Sequence, residues 1–303
     1  MVFLLAIAAD AFLGVGWVLQ QRVAARTGTS DDPPMRVLRS LIGTPVWWGG
    51  IAAMATGQTL AAWALQSGSV ALVEPLLVGC LLCAFAFAAW RGGERVTLGE
   101  VLGSVVVIGG VALFIGAAQP RADVRIQPAI VAVLLAAAAA GGVAALLVVG
   151  GRLAGRRSCI AAQSAAFAAA AGVCYALQDV ATRGAIDVVG QHTIDALVGS
   201  TWPYVLLGAA TAGVLVSQAA FRAARLDWSL PPTVAAQPIV AVPMAVVLLG
   251  DELRHTVVPL ALEAVSLPLT VFGVWIVGRS LALRRAHGLP SYMPAKTEPA
   301  GQR

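Results

Sequence analysis

Charge is scarce in this chain: only 12% of its 303 residues are charged, against about a quarter in a typical soluble domain. Lysine is nearly absent, since Lys296 is the only one beside nineteen arginines. That single lysine, in the C-terminal tail, excludes a phosphate-binding loop of the form G-x-x-x-x-G-K-[ST]. H-E-x-x-H and G-x-S-x-G are missing too, so neither a zincin nor an α/β-hydrolase reading has residues to stand on, and no enzyme is expected. Histidine is limited to His192, His255 and His287, too scattered to build a metal site. The four cysteines are Cys80, Cys83, Cys159 and Cys174. Cys80 and Cys83 form a C-x-x-C inside an apolar run, without the strand-to-helix setting of a redox motif, and read as small core residues. No cofactor is implied.

What fills the space is apolar. Hydrophobic residues make up 59% of the chain, and they come in runs long enough to cross the roughly 30 Å hydrocarbon core as helix, which takes about 20 residues. Runs such as 129–149 do not alternate, which excludes a β-barrel. The sequence predicts an all-α polytopic membrane protein with about nine spans, near 2–24, 45–66, 70–90, 97–118, 127–150, 159–182, 201–221, 230–249 and 256–281. Asp31-Asp32-Pro33-Pro34, Arg91-Gly92-Gly93-Glu94 and Gly150-Gly151-Arg152 punctuate them. Met1 to Ile7 lacks a basic leader and a small-residue cleavage site, so the first run reads as a span rather than a signal peptide. The polar, proline-bearing tail 286–303 reads as disordered. The bias towards Arg and Ala fits a GC-rich bacterial genome, hence the cytoplasmic membrane of a bacterium.

Basic residues divide unequally between alternate loops. One side collects 16 of the 20, including Arg22, Arg91, Arg152, Arg222 and Arg284, and the other only Arg121, Arg125, Arg183 and Arg254. Basic loops stay in the cytoplasm, so the N-terminus is expected outside and the C-terminus inside. Trp47, Trp48, Trp90 and Trp228 then fall near the inner boundary, and Trp202 and Tyr204 near the outer one. The net charge of +5 is spread over short loops rather than gathered on a face, which argues against a nucleic-acid partner. The expected partners are the lipid bilayer and a small-molecule or cation substrate. Oligomeric state is left open.

The two halves resemble each other. Gly14-Val15-Gly16-Trp17-Val18-Leu19-Gln20 aligns with Gly172-Val173-Cys174-Tyr175-Ala176-Leu177-Gln178; four of the seven positions are identical, and Trp17/Tyr175 keeps an aromatic. In the same order follow Trp47 or Trp48 with Trp202, Gly57 with Gly213, Pro75 with Pro231, Gly93-Glu94 with Gly250-Asp251, and Gly110-Val111 with Gly273-Val274. The organisation is a first repeat of four helices over 1–118, a second of five over 119–285, and the tail. An odd helix between the copies makes them run oppositely through the bilayer, and such inverted repeats belong to secondary transporters with a site at the repeat interface near the midplane.

Residues Leu19-Gln20-Gln21-Arg22, Trp47-Trp48-Gly49-Gly50, Gly57-Gln58, Ser69 to Pro75-Leu76, Gly93-Glu94-Arg95 and the closing Gly109-Gly110 resemble the drug/metabolite transporter (EamA-like) superfamily, and within it the NIPA-type magnesium transporters. The resemblance implies ten helices in two inverted fives, with the first helix missing here. It also implies transport by alternating access, of a metabolite or of a divalent cation. Gln58 stands where the NIPA-like pattern has an acid, a departure that bears on magnesium.

Ionisable residues within spans cost at least about 2.5–3.5 kcal/mol at a helix centre and are candidates by that fact alone. Asp10 falls mid-span, Glu263 about two turns into the last span, Glu74 one turn into the third, and Asp179 near the outer end of the sixth. Together they describe a carboxylate-lined outer vestibule that concentrates cations and lets transport couple to protons. A competing reading makes Glu74, before Pro75, a helix-start acid stabilised by the dipole, and Asp179 a solvated interface residue. Gln20, Gln58, Gln178 and Gln237 serve either as substrate contacts or as interhelical hydrogen bonds. The metal question stays open on these residues. Pro238, Pro243 and Pro268 break spans eight and nine, as happens where backbone lines a cavity, and Gly99-x-x-x-Gly103 suits close helix packing.

Overall fold

A computed structural model describes residues 1–24, 39–92, 98–119, 128–157, 159–191, 194–223 and 226–253, with parts of 261–276. The helices are α1 (Val2–Ala24), α2 (Pro45–Ser67), α3 (Val70–Leu77), α4 (Cys80–Gly92), α5 (Leu98–Ala118), α6 (Ile130–Arg156), α7 (Ile160–Gln191), α8 (Ile194–Gly199), α9 (Trp202–Ala223) and α10 (Leu226–Met244). A π-helical turn, Ala245–Leu249, extends the last of these.

Among the described residues, six segments are long and apolar enough to cross a membrane: Val2–Ala24, Val70–Trp90, Ile130–Arg156, Ala162–Gln191, Trp202–Ala223 and Ser229–Leu249. The chain is a multi-pass helical membrane protein. Helix also covers the expected spans 45–66 and 97–118, but the first is diluted by Trp47-Trp48-Gly49-Gly50 and Gln58, and a shorter apolar stretch, Val105–Ala118, represents the second. Another short apolar stretch, Ala264–Gly273, falls in the ninth expected span. One boundary moves substantially: the sixth expected span, put at 159–182, continues as α7 to Gln191.

Lipid accounts for the outward faces. Leu134, Leu135, Leu146 and Val149 of α6 are exposed, as are Leu207 and Leu215 of α9. Without a hydrophobic drive between helices in lipid, close packing depends on small residues. A Cβ on Gly14 would meet the backbone of Ala84 at 2.6 Å, so α4 rides directly on α1. A Cβ on Gly172 would meet the Thr233 carbonyl oxygen at 2.3 Å, so α10 rides directly on α7. Gly57 of α2 takes the Leu13 side chain of α1, and Gly213 of α9 takes the Tyr175 ring of α7. Gly103 and Val107 of α5 meet Gly273, and Gly110 meets Thr270. Trp17 of α1 packs edge-on against Tyr175 of α7, centroids 5.4 Å apart, and against Phe221 of α9 at 5.6 Å.

The aromatic belt is half what the sequence suggests. Trp48, Trp90 and Tyr204 are exposed, whereas Trp47 and Trp202 are buried. The Trp202 ring lies on Gly184, where a Cβ would meet it at 2.3 Å, so this tryptophan is a packing residue.

Candidate functional site

The apolar segment Val70–Trp90 is broken in its middle. Pro75 lies in α3, and the chain leaves the helix at Val78 and Gly79 before α4 begins at Cys80. A helix start inside the bilayer exposes amides that water cannot satisfy. Asp10 of α1 supplies the partner: its carboxylate accepts the Cys80 N–H and lies so close to Gly79 that a Cβ there would sit 2.2 Å from Oδ2. Gly79 is therefore small because Asp10 occupies its space.

One turn before the break stands Glu74. Its side chain is 1% exposed, and neither carboxyl oxygen has a hydrogen-bond donor. The reading of Glu74 as a helix-start acid fails on this point. The start of α3 is capped instead by Ser69, whose side chain accepts the Leu72 N–H, and by Asp251, whose Oδ2 accepts the Ala71 N–H at 3.0 Å. What faces Glu74 is the carboxyl group of Asp179 from α7. Two carboxyl groups in contact close a hydrogen bond only when one of them carries a proton.

Asp179 is 1% exposed, so it is not the solvated interface residue the sequence allows. Because α7 runs on to Gln191, Asp179 lies well inside the helix. Gln237 of α10 donates Nε2 to Asp179 Oδ2 at 2.6 Å, and Gln178 donates a longer bond, 3.5 Å, to Oδ1. The site thus gathers Glu74, Gln178, Asp179 and Gln237 from α3, α7 and α10, with Asp10 of α1 at the adjoining break, where Cys80 lies near both Asp10 and Glu74. Proline explains the local backbone of α10: Pro238 and Pro243 remove two helical donors, and the π turn follows Pro243.

The other residues singled out from the sequence are placed elsewhere. Gln20 is buried beyond Trp17, where its Oε1 accepts from Gln218 Nε2 and its own Nε2 donates to Met54 Sδ at 3.0 Å. Gln58 is half-buried on α2 and makes no hydrogen bond to the carboxyl cluster. Glu263, Glu94 and all three histidines lie outside the described residues. Among the described residues, no three His, Cys, Asp or Glu side chains are placed to hold a metal ion. Cys80 is buried and Cys83 half-buried, both as free thiols.

Sequence reasoning missed the charges flanking this cluster. Arg183 follows Asp179 by one turn of α7 and is only 5% exposed. Its Nε donates to Asp187 at 3.1 Å, and its Nη1 donates to the carbonyls of Leu65 and, at 2.6 Å, Gly68. With span six ended at residue 182, Arg183 counted as a loop residue. The available signal was the i, i+4 spacing of Arg183 and Asp187, which neutralises both on one helix face. Asp251 was legible in the sequence as the repeat counterpart of Glu94, with no sign that it reaches α3. Gly250 has a φ of 72°, the left-handed turn that glycine tolerates, and it brings the chain round so that Asp251 reaches α3. Burial pushes the Asp251 carboxyl above the ordinary aspartate range, against the pull of the Ala71 N–H and the Arg183 charge.

Among known proteins, the chain is similar to an uncharacterized protein of Corynebacterium glutamicum, with 25% identity over 295 residues that span 95% of this chain and 96% of that one. No family model matches the chain. No solved structure matches it either.

Proposed function

We propose that the protein is a secondary transporter of the drug/metabolite type, carrying a small metabolite or cation by alternating access between two inverted halves in a bacterial cytoplasmic membrane. In this reading nine helices cross the bilayer, N-terminus outside and C-terminus inside. Residues 1–118 form one half and 119–285 the other. The observation that carries it is the contact between Glu74 and Asp179, one carboxyl from each half, buried beside Gln237 within the apolar segments. Intramembrane carboxyls are expensive and mark ion and substrate pathways.

Matched packing supports the duplication. Gly14 and Gly172 are aligned in the two copies, and each lets the third segment of its half, Cys80 to Ala84 or Thr233 to Ala236, approach the first. Gly57 and Gly213 are aligned as well, and each receives a side chain from the first helix of its half. Unrelated helices would not need glycine at both members of two aligned pairs. The broken backbone near Gly79 and the proline-rich α10 are the kind of irregular structure that membrane interiors tolerate beside a transport site.

The test has two stages. Thermal melting of the purified protein against magnesium, polyamines, amino acids and lipophilic cations identifies the ligand class, because a ligand of the folded state raises the melting temperature. Uptake of the stabilising ligand into sealed vesicles is then measured for Glu74→Gln, Asp179→Asn, Asp10→Asn and Glu263→Gln. Loss of flux in folded Glu74→Gln and Asp179→Asn is the expected result, and wild-type flux in both removes the site. A magnesium response would favour the NIPA-like reading. Lipid movement without solute flux would favour a flippase, and no response of either kind a membrane scaffold.

A further inference from the structure

We infer that Arg183 and Asp251 form a latch that closes the carboxyl cluster on the face of the membrane carrying the N-terminus. The inference rests on the two-half transport reading and assigns a gate to the same site.

The latch grips one short stretch of chain. Arg183 of α7 binds the Leu65 and Gly68 carbonyls at the end of α2, and Asp251 binds the Ala71 N–H at the start of α3. Three backbone groups within residues 65–71, all in the first half, are held by two charged side chains of the second. The Arg183 charge also pulls on the Asp251 carboxyl. The α2–α3 turn is the cover of the site, because α3 continues directly to Glu74 and the Gly79 break. Val2 Cγ1 lies 3.4 Å from where a Gly68 Cβ would be, which fixes this face as the N-terminal one.

The arrangement can release without orphaning its charge. Arg183 keeps Asp187, its i, i+4 partner on the same helix, when α7 moves away from α2. Opening therefore costs the carbonyl bonds and leaves the ion pair intact. A buried arginine held only by the partner half would instead be stranded in a low-dielectric setting each time the halves parted. Asp251 similarly follows a left-handed Gly250 and a π turn, backbone that can absorb a change of direction.

Cys80 is a native reporter. It is buried, its N–H is bound by Asp10, and its thiol lies near Asp10 and Glu74. The experiment uses full-length protein with Cys83, Cys159 and Cys174 replaced by alanine, treated with a membrane-impermeant maleimide from the N-terminal face. Arg183→Ala and, separately, Asp251→Ala are expected to raise the Cys80 labelling rate at least tenfold over the parent, with Arg183→Lys in between. Melting curves on the same samples verify folding, and Asp251→Ala carries the test if Arg183→Ala is unstable. Unchanged labelling in the folded latch variants overturns the latch, whatever Glu74→Gln does to flux. Faster labelling together with wild-type flux in Glu74→Gln and Asp179→Asn would keep the closure and overturn transport through this site.

Discussion

The carboxyl cluster is closed on its two sides by different chemistry. Towards the N-terminal face stand Arg183 and Asp251, charged side chains bonded to backbone groups of the α2–α3 turn, with Asp187 paired to Arg183 behind them. Towards the other face, beyond the Trp17–Tyr175–Phe221 aromatic group, Gln20 and Gln218 join α1 to α9 by a single amide bond. There the Gln20 amide nitrogen donates only to a thioether, and Gln218 Oε1 is buried without a partner. Charge-assisted bonds are about twice as strong as neutral ones, while interhelical amide bonds in membranes average about 0.6 kcal/mol. The difference teaches that the fold resists opening on one face more than on the other. The amide closure is the one expected to part first.

The largest way to break this comparison is Arg183→Ala. It removes one member of a buried pair, which typically costs about 3–5 kcal/mol, and a clear drop in melting temperature in detergent is expected. No drop would mean that Arg183 is solvated and holds nothing. Asp251→Ala comes next. It strips a cap from the first amides of α3, a loss of about 0.5–2 kcal/mol, which chemical denaturation should resolve as a smaller destabilisation of the same sign. Gln218→Leu is the smallest, at about 0.6 kcal/mol. Because it also removes an unsatisfied buried oxygen, its melting temperature should lie within a few degrees of wild type. A Gln218→Leu effect as large as that of Arg183→Ala would reverse the ranking of the two closures.

Much of the helix pattern could be read directly. Spans near 2–24, 70–90, 127–150, 201–221 and 230–249 agree with apolar segments within a few residues at most ends, because a bilayer imposes one length on every crossing. The sixth went wrong at its end for a physical reason. Arg183 and Asp187 look like the water-facing edge of a span, yet each cancels the other's charge on one helix face. Of the proposed site residues, Glu74, Gln178, Asp179 and Gln237 come together, Asp10 stands at the adjoining break, and Gln20 and Gln58 lie elsewhere. Residue type marked each of them as costly in lipid, but type is silent on partnership. Glu74 at a helix start and Asp10 in mid-span invite opposite guesses, and the observed roles are nearly the reverse: Asp10 caps a helix, while Glu74 lacks any cap to make.

By itself the sequence determined that this protein lives in lipid and is helical, since uncharged runs of about 20 residues leave water no hold on the backbone and the backbone must satisfy itself. Tertiary structure alone decided that Glu74 meets Asp179, that Gln237 serves the same carboxyl, and that Arg183 reaches the end of α2. These partners lie on different helices, and which side of each helix faces which neighbour depends on the packing of all of them together.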